Sequence, residues 1–186
     1  MKNRKTQIVD LALQLIREKG YVAISYDDLS KQLGVTKASI HYHFEKKEDL
    51  GLALMGKVQE NLEQFLKLIK SSVMTVEEKL MLYFERQYAP LSSDEICPIS
   101  SLQSDFASLP DVIRVKVQEL SEFEIKVITT ILTDEQGTKP ANQSKDIEAV
   151  VYTVLSCLKG ALQYKRALGK DVLSLVQTQI NRLVKS

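Results

Sequence analysis

Seven consecutive residues, Lys37-Ala38-Ser39-Ile40-His41-Tyr42-His43, gather a cation, two hydroxyls and both histidines of a 186-residue chain. Cations, hydroxyls and imidazoles are the groups that donate to phosphate oxygens and read base edges. Imidazoles also ligate metals, but His41 and His43 are two residues apart. On a helix that spacing turns them about 200° from each other, so they cannot close on one ion. No metal is expected there. Tyr42 and Phe44 leave a second reading open, since both also suit a helical core.

A different chemistry is offered by Cys97, which directly precedes Pro98. A thiol at a helix start gains thiolate character from the free N–H groups, and reactivity with it. The alternative is an inert, buried small hydrophobe. Cys157, between Leu155 and Leu158, reads as packing. Tyr83, Tyr88, Phe106, Tyr152 and Tyr164 are candidate pocket aromatics, although aromatic residues on helices are more often core. Lys165, followed by Arg166, suits the last turn of a helix as a cation that complements its dipole.

The elements that must position these groups are all helical. Ile8, Leu11, Ala12, Leu15 and Ile16 make one apolar stripe on a helix over about 3–19, with Gly20 after it. Ser25-Tyr26-Asp27-Asp28 resembles a capping box, with Asp in the fourth place, and opens a second helix ending at Leu33. Thr36 caps a third, about 37–43. A fourth runs from Lys46 to about Ile69, with Gly51 and Gly56 inside it, each costing about 1 kcal/mol relative to Ala. Thr75-Val76-Glu77-Glu78 is a full capping box for a fifth, to about Tyr88. Pro98 and Pro110 open a sixth, about 98–107, and a seventh, about 110–133. Residues 134–145 read as a loop. The eighth helix covers about 146–168 and the ninth about 172–185.

Composition supports this and excludes other classes. Gly (7) and Pro (4) are scarce, which disfavours a turn-rich β fold. No apolar run is long enough to span a bilayer, so no membrane partner is expected. Two cysteines cannot build a disulfide framework, which points to a reducing, cytoplasmic location. The net charge of +1 announces no polyanionic partner by itself. Residues 1–50 nevertheless hold nine Lys/Arg against seven Asp/Glu, and the rest of the chain sixteen against seventeen. Lys2, Arg4, Lys5, Lys37, Lys46 and Lys47 flank the first and third helices, where they suit phosphates; Lys46-Lys47 also reads as a solvated turn.

Leu33-Gly34-Val35-Thr36 is the short, Gly-containing turn of a helix-turn-helix, whose second helix enters the major groove by its N-terminal side chains. Here the ordered set Gly20-Tyr21, Gly34 to Phe44 and Lys46-Lys47-Glu48-Asp49-Leu50 resembles the TetR/AcrR family of bacterial transcriptional repressors over about residues 4–55. His41 stands where an aromatic is common in that family. The resemblance implies an all-α homodimer on a palindromic double-stranded DNA operator. It implies a DNA-binding domain at 1–45 and a ligand-binding and dimerisation domain at 46–186. Carried over by position, Thr36, Lys37, Ala38, Ser39, His41, Tyr42 and His43 would face DNA. Ser25, Tyr26 and Lys47 would meet its backbone.

The last two helices carry more apolar surface than one core-facing stripe requires. Val151, Leu155, Leu158, Leu173, Val176, Ile180 and Leu183 are the expected dimer interface, where the family commonly forms a four-helix bundle. The stretch from Cys97 to Pro110 is also similar to a subgroup that includes the repressor of N-ethylmaleimide reductase, with Ile96 in place of a usual Gly. That resemblance implies a small-molecule, electrophile or oxidant signal sensed at Cys97, with Lys165 nearby. Two other readings compete. A Cys97-dependent enzyme lacks a nearby histidine and any phosphate-loop, dinucleotide or zinc-protease motif, and no cofactor is expected. A ligand-binding protein without specific DNA binding draws on Asp27, Asp28 and the low net charge.

Overall fold

The computed structural model describes residues 3–133 and 144–185; Lys2 and most of the expected 134–145 loop lie outside them. Among the described residues there are nine α-helices and no strand. The helices are α1 (Arg4–Lys19), α2 (Tyr26–Leu33), α3 (Lys37–His43), α4 (Lys47–Lys70), α5 (Val76–Gln87), α6 (Pro98–Ser104), α7 (Asp111–Leu132), α8 (Ser144–Leu168) and α9 (Val172–Lys185). The expected sixth helix is shorter than 98–107: it ends at Ser104, and Phe106–Ser108 form a single 3-10 turn.

Capping chemistry sets four of the starts. Asn3, Ser25, Thr36 and Thr75 each accept a backbone N–H from the first turn of α1, α2, α3 and α5. Two of these are full capping boxes, Ser25 with Asp28 and Thr75 with Glu78. Gly20 and Gly34 end α1 and α2 at positive φ, +87° and +63°, a region that glycine enters without steric cost.

The chain divides into two compact units. The first combines Met1–Glu60 with Pro98–Ser121. It takes in the segment expected to form the DNA-binding domain, together with the start of α4, all of α6 and the start of α7. Its core joins Ile8, Ala12, Leu15 and Ile16 of α1 to Leu29, Ile40, Phe44, Leu54 and Ile113. Leu11, expected in the α1 stripe, is half-buried. α6 packs on α1, and Ser101 Oγ donates to the Ile16 carbonyl at 2.7 Å. The Asp105 carboxylate accepts the Val22 N–H at 3.1 Å.

Gly51 explains one of the two helix-interior glycines. A Cβ there would lie 2.8 Å from Ile113 Cδ1 and 2.9 Å from Tyr21 Cε2, so α4 approaches these side chains closely because it has none. At Gly56 nothing lies within 4 Å. Gly51→Ala is expected to destabilise the fold by about 1–3 kcal/mol, because overpacking costs more than the helix propensity returns. Thermal denaturation checks this; a variant melting at or above the parent would contradict it.

The second unit combines Asn61–Cys97 with Glu122–Ser186. α9 packs on α8 and on α5. Phe65, Leu80, Tyr83, Phe84, Val127, Ile131, Val154 and Leu162 fill its core. Five of the expected interface residues, Val151, Leu155, Leu158, Leu173 and Ile180, are buried in this core and leave little or no surface for a partner. Val176 is half-buried and Leu183 exposed. Among the described residues, the large apolar side chains that α8 and α9 leave exposed are Tyr152, Tyr164, Leu168, Leu175 and Leu183; Cys157, expected to pack, is exposed as well.

Candidate nucleic-acid interface

The third helix is built to show one face to solvent. Ile40 and Phe44, one turn apart, are buried and fix α3 on the first unit. Lys37, Ala38, His41 and Tyr42 fall one turn apart in pairs on the other side, and all four are exposed. Tyr42 is 86% exposed, which removes the core reading for this aromatic. Phe44, at 3%, takes that reading instead. Ser39 and His43 are half-buried. Thr36 is exposed, and its hydroxyl accepts the Ser39 N–H at 3.2 Å.

Neighbouring side chains hold this helix in place. Tyr26 is buried, and its hydroxyl donates to the Phe44 carbonyl at 2.9 Å. Its ring meets that of His41 edge-on, centroids 4.7 Å apart. Burial pushes the Tyr26 phenol up to about 12, with the carboxylates of Asp49 and Glu48 adding to the shift. Tyr26, expected at the DNA backbone, therefore spends its hydroxyl on the end of α3. His41 Nδ1 lies 3.3 Å from the Glu45 carbonyl.

Two residues expected at phosphates are exposed or half-exposed but already bonded. Ser25 Oγ accepts the Asp28 N–H at 3.2 Å and donates to the Asp28 carboxylate at 2.9 Å. The Asp28 carboxyl is held down at about 2 by its bond from Lys19 and then by those from Ser25. Lys47 is half-buried; its ammonium donates to the Val22 carbonyl at 3.1 Å and sits 4.7 Å from the Tyr21 ring centroid. Burial lowers its pKa, opposed by the charges of Asp105 and Glu48.

An ion pair across the turn was not legible from spacing. Lys37 Nζ donates to Asp27 Oδ2 at 3.1 Å, joining the first turn of α3 to the first turn of α2.

The sensing residues divide. Tyr83, Tyr88 and Cys97 are brought together in the second unit: all three are buried, and the two phenol rings lie 5.8 Å apart. Burial first raises both phenols; the Cys97 sulfur and the Glu124 carboxylate beside them raise both further. Lys165 is half-buried, with Nζ 3.3 Å from the Leu91 carbonyl. Phe106 is half-buried in the 3-10 turn of the first unit. Tyr152 and Tyr164 are exposed on α8 and line no part of the buried cluster.

Sequence reading missed Glu124 and Lys159. Glu124 is 2% exposed; it accepts Lys159 Nζ at 2.6 Å and the Tyr83 hydroxyl at 3.3 Å. The available signal was its place on α7, four residues after buried Leu120 and four before buried Ile128. Among the described residues no helix is long and apolar enough to cross a membrane.

Comparison with known proteins gives these features a context. Residues 8–54 match the family described as bacterial regulatory proteins, tetR family. The fatty acid metabolism regulator protein of Bacillus subtilis (strain 168) is 27% identical over 132 residues, 69% of this chain and 66% of that protein. The negative transcriptional regulator IcaR of the biofilm operon in Staphylococcus epidermidis is 44% identical over 46 residues, 25% of each chain. The chain thus spans just under two thirds of the first relative and a quarter of the second. A TetR transcriptional regulator from Legionella pneumophila has the same fold, with a TM-score of 0.89, 27% identity and 98% of both chains covered. With its capped, outward-facing α3, residues 8–54 carry the N-terminal domain of the tetR family of bacterial regulatory proteins, and the whole chain has the fold of a TetR transcriptional regulator.

Proposed function

We propose that the chain is a transcriptional repressor that binds a palindromic operator as a homodimer in the cytoplasm and releases it on a small-molecule signal. The observation that carries this reading is the exposed row Lys37, Ala38, His41 and Tyr42 above a buried Ile40 and Phe44. Such a helix supports readout of a major groove by donors at its N-terminal end, with Thr36, Ser39 and His43 at its margin. Ser25 and Lys47 lie at the starts of α2 and α4, where backbone contacts are made in helix-turn-helix proteins. The first 45 residues carry DNA recognition in this reading, and residues 46–186 carry dimerisation and sensing.

The dimer surface is best supported by Tyr152, Tyr164, Leu168, Leu175 and Leu183, the apolar side chains left exposed on α8 and α9. The half-buried Val176 borders them in the chain. Two recognition helices held about 34–36 Å apart read successive major grooves on one side of DNA. A signal acts by binding the two spacings unequally. The buried Tyr83, Tyr88 and Cys97 support the second unit as its receiver; Cys97 is 5% exposed, so an electrophile or oxidant reaches its sulfur only when this cluster opens. What the relatives are named for, fatty acid metabolism and a biofilm operon, leaves the effector class of this chain open. Sedimentation of the reduced protein with DNA from upstream of its gene is expected to give two chains, or a multiple of two, per duplex. One chain per duplex would contradict the dimer.

A further inference from the structure

Lys37 occupies an awkward place for a cation. It is the first residue of α3, next to the positive end of the helix dipole, and α3 has no acidic residue in its first turn. The compensating charge comes from the preceding helix: Asp27 Oδ2 lies 3.1 Å from Lys37 Nζ. The two side chains are 58% and 53% exposed, so neither charge is desolvated and the pair can open or be approached from solvent.

DNA presents two kinds of acceptor to this pair. A phosphate carries a full negative charge and repels the Asp27 carboxylate beside the lysine. The guanine edge, O6 and N7, is neutral and accepts from a lysine without that repulsion. Lys37 can therefore donate to a base edge and keep Asp27, whereas a phosphate contact sets two anions around one ammonium.

We infer that Asp27 is a specificity-determining residue: it biases Lys37 away from phosphate and towards base edges, and so weakens binding to random DNA more than binding to the operator. The inference rests on the DNA-binding reading above. Asp27 acts through Lys37 and is a positioning residue in that sense. Its neighbour Asp28 does not share the role, because its carboxylate is taken by Ser25 and Lys19.

The test is Asp27→Asn, measured with heterogeneous genomic DNA and with a selected operator, each across a salt titration. Binding to heterogeneous DNA is expected to tighten about two- to fivefold, the range open to one freed surface cation. Its salt dependence should steepen by about 0.9 in log–log slope, one added phosphate contact. Operator affinity should rise less, so the ratio between the two DNAs falls. Asp27→Glu should keep the parent values. The melting temperature should stay within about 2 °C, since an exposed pair adds little to the fold. The inference is overturned if Asp27→Asn keeps the parent affinity and slope on heterogeneous DNA, or if both DNAs gain equally. A wild-type chain that binds neither DNA overturns the DNA-binding reading and this inference with it.

Discussion

Replacing Lys37 and Tyr42 together with alanine is expected to weaken operator binding by about 30- to 10⁴-fold, taking ~1–3 kcal/mol for each lost contact. Both side chains are exposed, and Tyr42 is almost fully so. Neither contributes a core contact, so the variant should keep the parent's helical content and melt within a few degrees of it. Tyr42 touches the His43 ring edge-on, centroids 5.2 Å apart, a surface contact worth little to the fold. The two readouts separate recognition from folding. A folded variant with the parent's operator affinity would remove α3 from the interface. Truncating Ile40 instead would unfold the helix and test nothing about DNA.

Glu124→Met is expected to carry a large stability cost in the second unit. The substitution withdraws the acceptor shared by Lys159 and the Tyr83 hydroxyl in a site 2% exposed to solvent. Removing one member of a buried ion pair costs about 3–5 kcal/mol, because the remaining charge keeps its desolvation penalty. At about 2–4 °C per kcal/mol for a chain of this size, the melting temperature should fall by roughly 6–20 °C. Glu124→Gln keeps an oxygen for Tyr83 and Lys159 and should lose less. Thermal denaturation followed by circular dichroism measures both. A Met variant as stable as the parent would show that this pair does not hold α7 to α8.

Much of the fold was legible because its boundaries are written in local chemistry. Thr36 as a cap, Gly34 as a left-handed stop and Thr75 with Glu78 as a capping box act within four residues, so sequence spacing reports them directly. The DNA-facing side of α3 came from the family resemblance, and the structure shows the 3.6-residue period that separates buried Ile40 and Phe44 from exposed Lys37, His41 and Tyr42. What spacing does not report is which of two apolar faces meets the chain's own core. Val151 and Leu158 were expected at a partner and are fully buried; Tyr152 and Tyr164 were read as pocket candidates or core residues and are exposed. A wide apolar surface on α8 allowed either assignment. Tyr26 is a further case. Beside Ser25 in sequence it reads as a solvent-facing start of α2, but its ring turns inward and its hydroxyl meets a carbonyl eighteen residues away. The pairs Asp27–Lys37 and Glu124–Lys159 join separate helices, and no local pattern encodes them.

The central claim is that this chain recognises particular DNA sequences through α3. The most direct test is selection of bound fragments from the whole genome of its own organism by the reduced wild-type protein, with the Lys37→Ala/Tyr42→Ala variant selected in parallel. The account predicts strong enrichment of a few fragments that share an inverted repeat, with half-sites about one helical turn apart, and its loss in the variant. Fragments recovered in proportion to the input by the wild-type protein, or the same repeat enriched by the variant, would contradict it.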